Sequence, residues 1–181
     1  MRVVSGKAKG TSLFSPQGKS VRPTSDYIKE NLFNLIGLDV QGAHFLDAFA
    51  GSAAIGIEAL SRGATHAVFI DSSQKSIDLA KRNLEKTRLT QYATVIKGEV
   101  PSALKKLSGQ KFDIIFLDPP YFEEHTKRVL DAILELNILD KHGQVIVEAS
   151  EMNCEIAHPS FNIFKEKIYG NTKVIFMEVI Q

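Results

Sequence analysis

The sequence contains no tryptophan, one cysteine and six prolines, and it lacks any long apolar run. A lone Cys154 cannot close an internal disulfide, which excludes the disulfide-stapled secreted scaffolds. No stretch approaches the ~20 consecutive apolar residues that cross a bilayer, and none resembles a signal or transit peptide, so a cytoplasmic setting without a membrane partner is expected. The five histidines, His44, His66, His125, His142 and His158, show no metal-ligand spacing, and no metal is expected. There is no G-x-S-x-G nucleophile elbow and no G-x-G-x-x-G dinucleotide fingerprint.

With 181 residues, 44% of them hydrophobic, the chain can bury one good core and is short for two. Its net charge of +1 conceals a polarity. Arg2, Lys7, Lys9, Lys19 and Arg22 place five of the 22 basic residues in the first 25 positions, with no acid among them. That leaves 17 bases against 21 acids in the rest. Residues 1–25 are therefore read as a basic hairpin or arm suited to a polyanion, and 26–181 as the body.

The most informative stretch is Lys111-Phe112-Asp113-Ile114-Ile115-Phe116-Leu117-Asp118-Pro119-Pro120-Tyr121, a short apolar run that ends in an acid, two prolines and an aromatic ring. Proline cannot donate to a sheet ladder, so the run reads as a buried strand carrying a stiff polar tip. A second loop, Asp47-Ala48-Phe49-Ala50-Gly51-Ser52-Ala53-Ala54-Ile55-Gly56, also follows an apolar run and leads into a helical pattern. From His44 onward strands alternate with helices, the signature of βαβ units and a parallel sheet. Strands are expected near 44–48, 66–70, 92–97, 112–117 and 143–148, and helices near 53–62, 73–87, 100–107 and 124–137. A helix after Thr24 or Ser25 presents Ile28, Leu32, Leu35 and Ile36. Residues 161–169 and 172–180 leave no room for a crossover and must pair as an antiparallel hairpin around Gly170 and Asn171. The whole reads as α/β, with a seven-stranded, mostly parallel Rossmann-like sheet closed by that hairpin.

In such sheets ligands bind beyond the carboxyl ends of the strands. There Gly51 permits close backbone approach, Phe49 and Ala50 line the same loop, and Asp47 can balance a cationic amino or sulfonium group, which suits S-adenosylmethionine and not a pyrophosphate. Asp71, about 20 residues beyond Gly51, is placed to accept from ribose hydroxyls with Ser72 beside it, although an acid there can equally cap the next helix. Glu99 can accept from an adenine amine while the Val100 N–H donates to the ring, although an acid there can almost equally be a solvated helix-start residue favoured by the dipole. Asp118 and the Pro119 carbonyl can accept from an exocyclic amine, Pro120 stiffens the loop, and Tyr121 can stack on the base.

These residues resemble the RsmD-type bacterial methyltransferases. The resemblance is carried by Met1 to Lys7, by Arg22-Pro23-Thr24-Ser25-Asp26 with Lys29-Glu30 and Leu32-Phe33-Asn34, by Asp47 to Gly51, by Gly56 to Ala64, by Phe112 to Tyr121 and by Tyr169-Gly170. It implies a class I methyltransferase that uses S-adenosylmethionine and no metal to modify a guanine N2 amine of 16S rRNA, within a small ribosomal subunit or an assembly intermediate. Two positions depart from the family pattern, with Ala53 where glycine is usual and Glu99 where aspartate is usual. Asp-Pro-Pro-Tyr is shared with DNA adenine-N6 methyltransferases, one alternative. A non-catalytic RNA-binding protein that keeps the pocket is another.

Overall fold

In the computed structural model, residues 1–15, 26–119, 123–150 and 156–180 are described. The seven strands are β1 (His44–Asp47), β2 (His66–Asp71), β3 (Ala93–Lys97), β4 (Phe112–Leu117), β5 (Leu139–Ser150), β6 (Phe161–Tyr169) and β7 (Thr172–Val179). They form one sheet in the order β3-β2-β1-β4-β5-β7-β6. The first five are parallel, whereas β7 runs antiparallel to both β5 and β6. The expected closing hairpin is therefore present, and β5 starts earlier and ends later than its apolar run suggests. Segment 102–107 winds as a 3-10 helix, where a regular helix over 100–107 was expected. Six residues before the Ser108–Gly109 turn leave room for no more than about two turns, and the tighter winding suits so short a connection.

Alternating side chains divide the core into two layers. Phe45, Phe69, Ile114, Phe116 and Phe176 face α1 (Asp26–Ile36), α2 (Ala54–Ser61) and α3 (Gln74–Thr87). Leu46, Val68, Ile70, Ile115, Leu117 and Val147 face the 3-10 segment and α4 (Glu123–Glu135), which contributes Val129, Leu130 and Ile133. Because both faces are covered, the strands read as nearly continuous apolar runs.

Every residue of α2 is buried, since the first fourteen residues cover its outer side. Val3, Ala8 and Leu13 join the core cluster there, so this hairpin packs as part of the body. Its ladder is small. Arg2 bridges Ser12, and the Val3 and Leu13 N–H groups donate to Thr11 and Met1 carbonyls at 2.9 and 3.0 Å. What holds it is Glu58, fully buried on α2. Its carboxylate accepts from the Val4 N–H at 2.8 Å, the Ser5 N–H at 2.9 Å and Arg62 Nε at 2.9 Å, with Lys29 Nζ of α1 at 3.4 Å. Lys29, equally buried, also donates to the Arg2 carbonyl. Ser61 adds a carbonyl for the Lys7 N–H and a hydroxyl for the Ala8 N–H. Gly6 passes so close that a Cβ there would lie 1.8 Å from the Ser61 oxygen, and its φ of 81° excludes most other residues.

This arrangement predicts an asymmetry between the partners. Glu58→Ala leaves the buried Lys29 ammonium only Asp26, 3.7 Å away, and the Arg2 carbonyl, and frees two partly buried N–H groups, and is expected to cost about 3–5 kcal/mol in urea unfolding. Lys29→Met leaves Glu58 with three donors and should cost clearly less. Equal losses for the two variants would show that the pair, and not the carboxylate hub, holds the hairpin.

Candidate active site

The parallel register aligns four acids along one edge. Asp47 ends β1 and pairs with Phe69 of β2 and Phe116 of β4, so Asp71 and Asp118 each lie two residues beyond it. Asp71 pairs with Lys97 of β3, and Glu99 lies two residues beyond that. Four neighbouring strands thus each lead into a carboxylate at the same edge of the sheet, Asp71 and Asp118 level with each other, Asp47 two residues deeper and Glu99 two residues farther out, in the crevice where open α/β sheets bind ligands.

Two of these acids organise the loop between β1 and α2. Asp71 Oδ2 accepts from the Gly51 N–H at 2.8 Å, and its Oδ1 accepts from the Ser73 N–H at 2.8 Å. Ser73, and not Asp71, caps α3, its hydroxyl accepting from the Ser76 N–H. Asp47 Oδ2 accepts from the Gly56 N–H at 3.1 Å, which ties the strand end to the first turns of α2. The Ala50 N–H donates to the Ile70 carbonyl at 2.9 Å and pins the loop to β2. Gly51 has φ of 52° with open space where a Cβ would project, so the backbone there is bare toward the crevice. Ala53 also adopts left-handed backbone, φ 63°, a conformation that favours glycine; a non-glycine residue there costs roughly 1 kcal/mol.

Burial dominates the electrostatics. Asp47 is 2% exposed, and loss of hydration, reinforced by the charges of Asp118 and Asp71, pushes its pKa up to about 7 against the opposing Gly56 hydrogen bond. Asp118 is accessible from the mouth of the crevice, while the protein packed around its carboxyl group pushes it up to about 6. Pro119 is buried, Ser72 and Glu99 are exposed, and Val100 is buried. Phe49, half-buried, meets the His125 ring edge-on at 5.9 Å, and Glu99 is near enough to His125 to act on its charge. Nothing in the histidine spacing signals that contact, which arises only because α4 begins beside this loop. The signal for buried Asn83, by contrast, is present in the sequence, as a polar residue on the Ile77–Ala80–Leu84 face of α3. Pro120 and Tyr121 lie outside the described residues, as do Lys19, Arg22 and Cys154. Arg2, Lys7 and Lys9 are exposed, on the hairpin rather than at the edge. Among the described residues no cluster of acids, histidines or cysteines is arranged to hold a metal ion, and no helix is long and apolar enough to cross a membrane.

The acids at this edge and the bare backbone at Gly51 suit a cationic ligand rich in hydroxyl and amine donors, and S-adenosylmethionine is of that kind. Together with the strand order, this edge defines the class of S-adenosylmethionine-dependent methyltransferases. The family model described as “Conserved hypothetical protein 95” matches residues 1–178, and the chain belongs to this family, that of the RsmD-type methyltransferases. YlbH of Bacillus subtilis strain 168, whose name assigns it provisionally to the rRNA methyltransferases, is 44% identical over 150 residues, 82% of each chain. Ribosomal RNA small subunit methyltransferase D of Haemophilus influenzae is 31% identical over 172 residues, 94% of this chain and 89% of that one. Among solved structures, yhhF of Escherichia coli, provisionally a methyltransferase, has a TM-score of 0.85 at 25% identity, covering 100% of this chain and 99% of that one.

The elevated Asp47 carboxyl predicts a pH signature in the protein without cofactor. Its folded pKa lies above the ordinary aspartate value of 3.8, so the stability it contributes is full below that value and is lost as pH rises through about 7. Asp47→Asn keeps an acceptor for the Gly56 N–H and removes this loss. The variant should melt above wild type at pH 8, the gap closing toward pH 4. Parallel melting profiles would show that Asp47 titrates normally in the fold.

Proposed function

We propose that the chain transfers a methyl group from S-adenosylmethionine to the exocyclic N2 amine of one guanine in small-subunit (16S) rRNA, presented in a small ribosomal subunit or an assembly intermediate in the cytoplasm. The observation that carries this reading is the placement of Asp118 and Pro119 level with Asp71 and just beyond Asp47 on the neighbouring strand, which favours an acceptor pair for an amine beside a cradle for the methyl donor. The relatives named as small-subunit rRNA methyltransferases support the choice of RNA.

When bound, the cofactor supplies an electrophilic methyl group. Asp47 faces its cationic amino acid portion, Asp71 its ribose, and Glu99 with the Val100 N–H its adenine, while Phe49, Ala50, Gly51 and Ser72 line the cradle. An aromatic amine is a poor nucleophile because its lone pair is delocalised into the ring. Asp118 Oδ and the Pro119 carbonyl accept from its two N–H bonds, hold it in line and favour the pyramidal form. The nitrogen sheds a proton once methylated, and a carboxyl titrating near 6 is suited to take it up and release it to water. Pro120 and Tyr121, in the roles given above, complete the loop. Arg2, Lys7, Lys9, Lys19 and Arg22 meet phosphates, although Arg2 is partly neutralised by Asp26, 3.9 Å away.

Tritiated methyl transfer to undermethylated small subunits, free 16S rRNA and DNA tests the substrate; labelled DNA with unlabelled subunits would instead favour adenine-N6 chemistry. Asp118→Ala should reduce transfer by at least about 10²-fold with cofactor affinity nearly intact. Asp71→Ala should weaken cofactor binding by about 1.5–3 kcal/mol in calorimetry, since both the ribose contact and the Gly51 tether are lost. Near-normal turnover in the first variant, or unchanged affinity in the second, reduces that residue to a loop support.

A further inference from the structure

Helix α3 buries Ile77, Ala80, Asn83, Leu84 and Thr87, which leaves Lys75, Arg82 and Lys86, spaced by seven and four residues, along one exposed side. Arg82 and Lys86 are like charges one turn apart, an arrangement that disfavours a helix slightly, and among the described residues neither forms an ion pair with an acid. Both instead approach the half-exposed ring of Phe14, each 4.3 Å from its centroid. Farther along, Lys7 of the hairpin lies 5.9 Å from the ring centre of Tyr92, just past the helix. Asn83 locks the hairpin against α3. Its Oδ1 accepts from the Phe14 N–H at 2.7 Å, and its Nδ2 donates to the Phe14 and Ser52 carbonyls at 3.0 and 2.9 Å. Ser52 belongs to the β1–α2 loop, so one buried amide joins hairpin, helix and cradle.

The result is a basic strip with a direction. Lys75 stands in the first turn of α3, four residues beyond Asp71 at the candidate site. Lys86 lies about 16 Å farther along the helix axis at 1.5 Å per residue. Asp78 and Glu85 occupy the next strip round the helix, on the side away from Asn83, and so bound the positive track.

We propose that this strip is a second RNA contact, in which Lys75, Arg82 and Lys86, continued by Lys7 and Lys9, follow the phosphates of the strand leading away from the target nucleotide. The proposal rests on the rRNA reading above and extends it beyond the first 25 residues. A track of about 16 Å matches roughly five stacked nucleotides at 3.4 Å each. Phe14 pre-positions the two cations, and the charge repulsion between them is relieved when phosphates bind.

The test uses the full chain and full-length unmodified 16S rRNA, with Kd measured against salt. The Lys75→Gln, Arg82→Gln, Lys86→Gln variant should bind at least 10-fold more weakly, with a log–log salt slope shallower by about 2, as three single-strand contacts of ~0.7 each require. Its S-adenosylmethionine affinity should be unchanged. A control removing the same charge elsewhere, Lys105→Gln, Lys127→Gln, Lys141→Gln, should bind within about twofold of wild type. Phe14→Leu should fall between wild type and the α3 variant. Wild-type Kd and slope in the α3 variant, or equal weakening in the control, would overturn the strip. Wild type that binds the RNA tightly yet labels no small-subunit substrate would overturn the methylation reading alone, because the α3 result is read from Kd.

Discussion

The buried carboxylate of Glu58 gathers two backbone N–H groups of the hairpin, Arg62 from its own helix and Lys29 from α1, and the placement of the first fourteen residues depends on it. A charge taken out of water is tolerated only when every lone pair finds a donor, and here the donors come from three separate pieces of chain. Satisfying Glu58 therefore folds those pieces onto one another. The hairpin becomes a lid over α2, which explains how a helix reading Ala54-Ile55-Gly56-Ile57-Glu58-Ala59-Leu60-Ser61 can be buried on all sides.

The same logic operates in reverse at the carboxyl edge. Asp47 is buried with one hydrogen bond and no cationic partner among the described residues, and its raised pKa records that imbalance. Glu58 has its donors inside the fold, whereas Asp47 keeps a single hydrogen bond, from the Gly56 N–H, at the edge of the crevice. Asp71 shares both characters, since its two oxygens already organise Gly51 and Ser73 yet the residue remains half-exposed. The left-handed Ala53 belongs to the same loop, where local backbone strain is accepted to keep the backbone open toward the crevice.

Asn83 connects these regions. Through it, the end of the hairpin, the face of α3 and the carbonyl of Ser52 are joined, so hairpin and helix are held in fixed relation to the loop between β1 and α2. On the RNA reading proposed above, that connection would fix a bound strand relative to the cradle, as a reaction governed by in-line placement requires.

The sheet was legible in the sequence because its cause is local. Apolar runs such as Phe112 to Leu117 are buried on both faces, and the loops after Asp47, Asp71 and Asp118 follow directly from where those runs stop. The absence of a crossover between β6 and β7 was equally plain, since Gly170 and Asn171 leave no room for one. By itself the sequence therefore determined the strand order class, the edge that carries the acids and the residues at its tips. Tertiary structure alone decided the partners of charge. The grouping Lys29 and Glu58 shows no spacing that marks it as an ion pair, and Arg82 and Lys86 acquire meaning only once Phe14, about 70 residues earlier, is laid against them. Burial of apolar runs is encoded in periodicity, which a single strand or helix displays unaided, whereas the satisfaction of a buried charge depends on atoms that only the folded chain brings within 3 to 4 Å.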